Sequence, residues 1–205
     1  MTKPIVKDWK GNTKSTFINI GASNHSESER AEHDLYCTSP EAIDALANAG
    51  KLPKNKNVWE CAAGLGHLSK RLTQYGYNVI ATDLVNRGTC DSGVDFLKQK
   101  KLRAPVILTN PPYKYCLEFA EHAVKNLKCE EYYAFHKLTF LEGQKRHSFF
   151  KKYPPAEVLV FANRIPVARN GDPEQFNKST AVCYAWFIWR KNYKGEPRIG
   201  WLSTK

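Results

Sequence analysis

Apolar residues recur along this chain with two periods that take turns, and their alternation predicts its elements. Ile43, Leu46 and Ala47 fall at helical spacing between Thr38-Ser39-Pro40-Glu41 and Gly50. Thr38 and Glu41 fit a capping box, or Ser39 caps with Pro40 in the first helical position, so a helix is expected there. Val58-Trp59-Glu60-Cys61 then reads as a strand, His67, Leu68, Leu72 and Tyr75 return to helical spacing up to Gly76, and Val79-Ile80-Ala81-Thr82-Asp83 reads as a second strand. Strand, helix and strand in that order make a βαβ unit with parallel strands.

The pattern continues downstream. Gly88 to Gly93 reads as a loop, Asp95-Phe96-Leu97 opens a short segment, and Pro105 precedes the strand Val106-Ile107-Leu108-Thr109. Leu117, Ala120, Val124 and Leu127 predict a helix within Tyr115 to Lys128, and further strands are expected at Tyr132 to Phe135, Glu157 to Phe161 and Ala181 to Trp189. Strands alternating with helices imply an α/β fold with a doubly wound, mostly parallel sheet, which binds ligands at the carboxyl ends of its strands. Residues 1–31 are polar, Lys-rich and then Ser/Glu-rich, with too few apolar positions for a core element. They read as a flexible N-terminal arm, followed by a single domain over 32–205.

Composition narrows the partners. The 205 residues hold 31 Lys and Arg against 20 Asp and Glu, a formal charge of +11, which favours a polyanion such as nucleic acid, although excess lysine also serves solubility. The six cysteines are scattered without a Cys-x-x-Cys pair, a pattern of reducing compartments. No apolar run approaches the ~20 residues of a membrane span, and Met1 to Lys14 lacks an apolar signal core. A cytoplasmic protein with no membrane partner is expected. His33 and Cys37 have no second pair at ligand spacing, so no metal is expected, and no Gly-x-Ser-x-Gly elbow occurs.

The strand Val106 to Thr109 stops at Asn110-Pro111-Pro112-Tyr113. Both prolines fix φ and lack an N–H, and each restricts the residue before it, so Asn110 and Pro111 are held extended with their carbonyls free. Such a corner offers an amide, backbone acceptors and an aromatic ring to a planar amino group, unless Tyr113 merely packs. Glu60-Cys61-Ala62-Ala63-Gly64-Leu65-Gly66 lies between the first strand and its helix, where glycines let a ligand approach the backbone or simply close the turn. Asp83 ends the next strand, where a carboxylate can accept hydrogen bonds from a ribose diol or cap a helix. Without Gly-Lys-Ser/Thr, the turn fits an adenosine ligand lacking a phosphate chain.

In this order these segments resemble class I S-adenosylmethionine-dependent methyltransferases, specifically those that modify adenine N6, with the gamma arrangement of motifs. The resemblance runs through Tyr36-Cys37-Thr38-Ser39-Pro40, Glu60 to Gly66, Asp83, Asp95-Phe96 and Asn110 to Tyr113. It implies a Rossmann-like fold with an antiparallel strand near the C-terminus and S-adenosyl-L-methionine as cofactor. Tyr36 and Thr38 would lie near the methionine carboxylate, and Glu60, Ala62, Gly64 and Gly66 around the methionine. Asp83, with Leu84 beside it, would hold the ribose, and Asp95 and Phe96 would flank the cofactor's adenine, with Asn110 closing the site. Cys61 stands where relatives often have proline, and the stretch after Phe161 is short for a separate target-recognition domain. Small orphan enzymes of phages and mobile elements share that economy.

The resemblance makes Asn110, Pro111, Pro112 and Tyr113 the catalytic corner. The Asn110 side-chain oxygen and the Pro111 carbonyl would accept the two N6 hydrogens, while Tyr113 stacks on a flipped base. Lys137, Lys145, Arg146, Lys151 and Lys152, interleaved with Phe140, Phe149 and Phe150, form the best nucleic-acid surface, or else an amphipathic helix with solvated lysines. Phe161 is a candidate for the other face of the base, with core packing as its alternative; Trp186 and Trp189 are assigned to the core. DNA adenine is the expected substrate. RNA amines, a release-factor glutamine and a catalytically silent nucleic-acid-binding module are the alternatives.

Overall fold

In a computed structural model, which describes residues 35–177 and 182–204, the alternating runs become nine strands. In chain order they are β1 (Tyr36–Thr38), β2 (Asn57–Glu60), β3 (Asn78–Ala81), β4 (Val106–Thr109), β5 (Glu131–Lys137), β6 (Glu157–Phe161), β7 (Val167–Arg169), β8 (Tyr184–Arg190) and β9 (Arg198–Leu202). The arm expected over 1–31 lies outside the described residues. Seven strands form one sheet in the order β3-β2-β4-β5-β8-β6-β9, and β1 pairs with β7 in a small sheet of its own. β2 pairs in parallel with β3 and β4, and β4 with β5, whereas β8 runs antiparallel to both β5 and β6. The expected α/β class and its late antiparallel strand are therefore present.

Pleating divides the side chains between two cores. Val58, Leu108, Phe135, Trp186 and Ile188 face α1 (Glu41–Asn48) and α2 (His67–Gln74), which contribute Ile43, Leu46, Leu68 and Leu72. Trp59, Ile107, Tyr132, Phe187 and Trp189 face α3 (Cys116–Glu121) and α4 (Gln144–Lys152), which contribute Phe119, Ala120 and Phe149. Trp186 and Trp189, an odd number of strand positions apart, point to opposite faces. Each indole N–H is satisfied, Trp186 donating to the Ala42 carbonyl and Trp189 to the Tyr153 carbonyl, both at 3.0 Å.

Some boundaries differ from the sequence reading. The helix expected over Tyr115 to Lys128 divides into a 3-10 turn (Tyr113–Tyr115), α3, and a π turn (His122–Asn126) closed by the Leu127 N–H on the His122 carbonyl at 2.8 Å. Thr38 does not cap α1, because it belongs to β1. The weaker cap is Ser39, whose Oγ accepts the Glu41 N–H at 3.4 Å. The last long strand starts at Tyr184, while Ala181 lies outside the described residues. β1, β7 and β9 were not foreseen: three residues show no period, and β9 leaves Ile199 and Trp201 exposed.

The chain leaves β2 toward β3 on one side, while β4 lies on the other. This reversal opens a crevice beyond the carboxyl ends of β2 and β4, where doubly wound sheets bind ligands.

Candidate functional site

The turn after β2 builds one wall of this crevice. Gly64 (φ +56°) and Gly66 (φ +75°) adopt left-handed conformations that a side chain would strain. Asp83 fixes the turn from the next strand, its Oδ2 accepting the Gly64 N–H at 2.8 Å. The Thr89 hydroxyl donates to the Gly64 carbonyl at 2.6 Å. The crevice holds a cavity of about 580 Å³ lined by Tyr36, Thr38, Glu60, Ala62, Gly64, Asp83, Leu84, Asp95, Phe96, Asn110, Pro111 and Pro112, among others. That volume falls within the range of small-molecule sites. Gly66 is not part of the lining; it ends the turn at the start of α2.

Asn110 is held by β1. Its Nδ2 donates to the Tyr36 carbonyl at 2.8 Å and to Thr38 Oγ1 at 2.9 Å. A carbonyl can only accept, so the amide has one orientation. Its Oδ1 is consequently directed away from β1, buried and, among the described residues, without a hydrogen-bond partner. An acceptor left open in this way is uncommon, since buried polar atoms are as a rule paired.

A second unpaired acceptor belongs to Glu60. The residue is 2% exposed and its Oε2 has no partner among the described residues. Burial pushes its carboxyl up to about 8, against hydrogen bonding from Ser69, and the charge of Asp83 adds to the rise. Among the described residues no ion pair neutralises this buried acid, and a ligand ammonium would do so.

Asp83 is busier than the sequence suggested. Its Oδ1 accepts the Val85 N–H at 2.8 Å and Arg87 Nη1 at 2.9 Å. Arg87, which also lines the cavity, competes for the acceptor that a diol would use. Asp95 accepts the Leu97 N–H at 3.1 Å and pairs with Lys98 at 3.2 Å. Phe96 packs 5.2 Å from Trp59 and 4.8 Å from Phe119, so its ring anchors the wall in the core.

Tyr113 does not line this cavity. Its ring lies 4.8 Å from Tyr36, its hydroxyl is 3.1 Å from that of Tyr184, and Lys137 Nζ sits 4.5 Å over the ring. Burial, with Tyr184 beside it, pushes the phenol well above its ordinary range, so it stays neutral. Tyr113 lines a smaller cavity of about 270 Å³ together with Lys137, Lys145 and Arg146, and Lys114 lines both cavities. Lys151 and Lys152 lie exposed at the far end of α4. Phe161 is a correction: it is 9% exposed and packs 5.9 Å from Phe135 in the core, so it offers no face to a base. Sequence reasoning missed Arg87, His136 and Tyr184, none of which carries a local motif; the last two become site residues only through the pairing of β5 with β8.

Among the described residues, no group of three or more His, Cys, Asp or Glu side chains could hold a metal, and no helix is long and apolar enough to cross a membrane. None of the six cysteines is in a disulfide.

No protein-family model and no curated protein sequence matches the chain. Solved structures do. A Pyrococcus horikoshii protein described as a "putative RNA methyltransferase" superposes with a TM-score of 0.55 at 16% identity, over 88% of this chain and 99% of its own. Proteins described as "putative hemolysin" from Streptococcus thermophilus (TM-score 0.53, 9% identity, 78% of this chain and 67% of that one) and Lactococcus lactis (0.52, 13%, 77% and 89%) superpose likewise. At these identities the likeness is one of fold: the chain folds as a Rossmann-like α/β domain.

Proposed function

We propose that this protein transfers a methyl group from S-adenosylmethionine to the exocyclic N6 amine of adenine in DNA. The observation that carries the reading is the Asn110 Oδ1, a buried acceptor fixed in direction by β1 and left without a partner at the carboxyl end of β4. The cavity fits the cofactor. Glu60, buried and unpaired, would hold the ammonium; Tyr36 and Thr38 would lie near the carboxylate, Asp83 with Leu84 near the ribose, and Asp95 and Phe96 at the adenine. When bound, the cofactor supplies an electrophilic methyl on a sulfonium.

The chain's own contribution is positional and electrostatic. An adenine amine is a weak nucleophile because its lone pair is delocalised into the ring. With one N6 hydrogen accepted by Asn110 Oδ1 and the other by the Pro111 carbonyl, the lone pair turns out of the ring plane toward the donor, and charge developing on N6 meets oriented dipoles. As the N6–methyl bond forms and the sulfur–methyl bond breaks, the surplus N6 proton passes to solvent, so no side chain need act as a strong base. Neutral Tyr113 supplies an aromatic wall for the flipped base, worth roughly 1–3 kcal/mol in stacking. A DNA duplex would have to release the base first.

Incubation with labelled S-adenosylmethionine and unmethylated duplex DNA, structured RNA or protein extract in parallel, followed by nucleoside mass spectrometry, tests the proposal. N6-methyladenine from DNA is expected; label confined to RNA would move the reading to an RNA amine, which the description of the Pyrococcus horikoshii fold relative favours. Label confined to protein would reject both.

Two further outcomes follow from the geometry. Asp83→Ala removes acceptors used by Gly64, Val85 and Arg87, and should weaken cofactor binding about tenfold or more, at ~1 kcal/mol per lost hydrogen bond. Unchanged affinity by calorimetry would show that neither the turn nor the ribose depends on it. Reversing Lys145, Arg146, Lys151 and Lys152 to glutamate should weaken DNA binding and flatten its salt dependence by up to about 0.9 in log–log slope for each phosphate no longer neutralised. A slope identical to wild type would return the segment to a solvated helix.

A further inference from the structure

The smaller cavity, about 270 Å³, has a polar group at its floor that the mechanism leaves unused. His136, the β5 residue just before Lys137, is 0% exposed, and neither ring nitrogen has a hydrogen-bond partner among the described residues. Phe140, with ring centroid 4.1 Å away, and Phe187, edge-on at 5.5 Å, pack against its ring and offer it no hydrogen-bond partner. Buried polar atoms are as a rule satisfied, and an imidazole with both nitrogens open at the floor of a cavity is an unmet demand for a ligand. Burial, together with the charge of Arg146, pushes its pKa down to about 3, so the ring stays neutral in any physiological buffer. A neutral imidazole offers one N–H donor and one bare acceptor.

That pair selects among ligands. A phosphate has only acceptors at its oxygens and would leave the bare nitrogen unmet. The edge of a heterocyclic base carries donors and acceptors side by side, so it can pair with whichever ring nitrogen faces the cavity, the N–H or the bare one. The walls suit the rest of a nucleotide: Tyr113 and Phe140 are aromatic, while Lys114, Lys145 and Arg146 supply positive charge against the single carboxylate of Glu118. Lys114 lines both cavities, and Tyr113 directly follows the Asn110-Pro111-Pro112 segment of the larger one. The two cavities are therefore neighbours along the path of one strand.

We propose that the smaller cavity receives the nucleobase flanking the target adenine and that His136 reads its edge, making His136 a specificity-determining residue. This rests on the proposed methylation of an adenine in a nucleic acid. It also supplies base selection from the catalytic domain itself.

The test uses the full chain with S-adenosylmethionine and short oligonucleotides, DNA and RNA, each single-stranded and duplex, with one adenine in the methylatable strand flanked in turn by every base. Wild type should favour one flanking base by about tenfold or more in kcat/KM, the margin expected where a site hydrogen-bonds what it selects. His136→Phe keeps the ring and its packing on Phe140 but removes both nitrogens. It should bring that ratio near one, in transfer and in binding by fluorescence anisotropy, while S-adenosylmethionine affinity by calorimetry stays the same. A preference that survives His136→Phe, or transfer by wild type with no flanking preference, overturns the subsite and leaves the methylation reading standing. Failure of wild type to methylate any of the oligonucleotides overturns both. Should His136→Phe not fold, wild type decides: a 5-iodouracil at the flanking position, photolysed in the complex, should crosslink within residues 113–118 or 136–146, and crosslinks found only elsewhere reject the subsite.

Discussion

Replacing Asn110 with alanine is expected to lower kcat for methyl transfer about 10²–10³-fold, the loss typical when one preorganised dipole aimed at developing charge is removed. The effect should fall on kcat, because Oδ1 meets the amine most strongly as its nitrogen gains positive charge. The cofactor should feel the change less. Alanine also releases the two hydrogen bonds that tie β1 to the corner, each worth about 1 kcal/mol net, so cofactor Kd should rise by roughly tenfold at most. Asn110→Asp sharpens the test: it keeps an oxygen at Oδ1 but sets a second one against the Tyr36 carbonyl, which can only accept. A carboxylate there is repelled from the position that the amide NH₂ now holds. Steady-state kinetics with calorimetry on both variants separates chemistry from binding. Transfer by Asn110→Ala at the wild-type rate would remove the corner from the mechanism.

The second large effect is expected at Glu60. Its carboxyl is pushed up from 4.5 to about 8 by burial, so the folded protein without cofactor keeps a proton that the unfolded chain loses above pH 4.5. This contribution to stability is complete below about pH 4.5, falls as pH rises toward 8, and reaches about 5 kcal/mol at most. Glu60→Gln should flatten that part of the profile, giving a higher Tm than wild type at pH 8 and little difference at pH 4.5. Cofactor binding inverts the comparison. An ammonium held against the carboxylate favours its ionised form, so wild type should release close to one proton on binding near pH 7, seen as a dependence of binding enthalpy on buffer. Glu60→Gln should release none and bind about thirtyfold more weakly, the low end of the 2–5 kcal/mol lost when a buried charge pair is cut. Equal proton release from both proteins would assign it to another group.

Much of this site was legible because its parts are short motifs at strand ends. Glu60, Gly64, Asp83 and Asn110 lie close to the elements that carry them, and period and punctuation locate those elements. What could not be read locally depends on long-range pairing. The β1–β7 ladder joins Tyr36 to Arg169, and three-residue strands have no period to detect. Without it, the direction of the Asn110 amide is undetermined. His136 lies just past the strand read at Tyr132 to Phe135 and carries no local signal; its meaning comes from Phe140, Phe187 and the cavity that α4 closes. Phe161 went the other way: a strand-end aromatic suggested a base stacker, and Phe135 across the sheet claims it for the core. Asp83 shows a further limit, since a sequence names a carboxylate but not the arginine four residues on that already binds it.

The pairing of β1 with β7 is separate from the main sheet. Its three ladder positions join residues more than a hundred apart, and neither strand pairs with the seven-stranded sheet. Loop closure over that span is entropically costly, and the small ladder returns little for it. A chain with its main sheet complete and β1 undocked would still be folded by global measures, yet Asn110 would be free to rotate and its acceptor would have no fixed direction. On the proposed mechanism, local opening of the small sheet would then switch the corner off while the main sheet stayed intact.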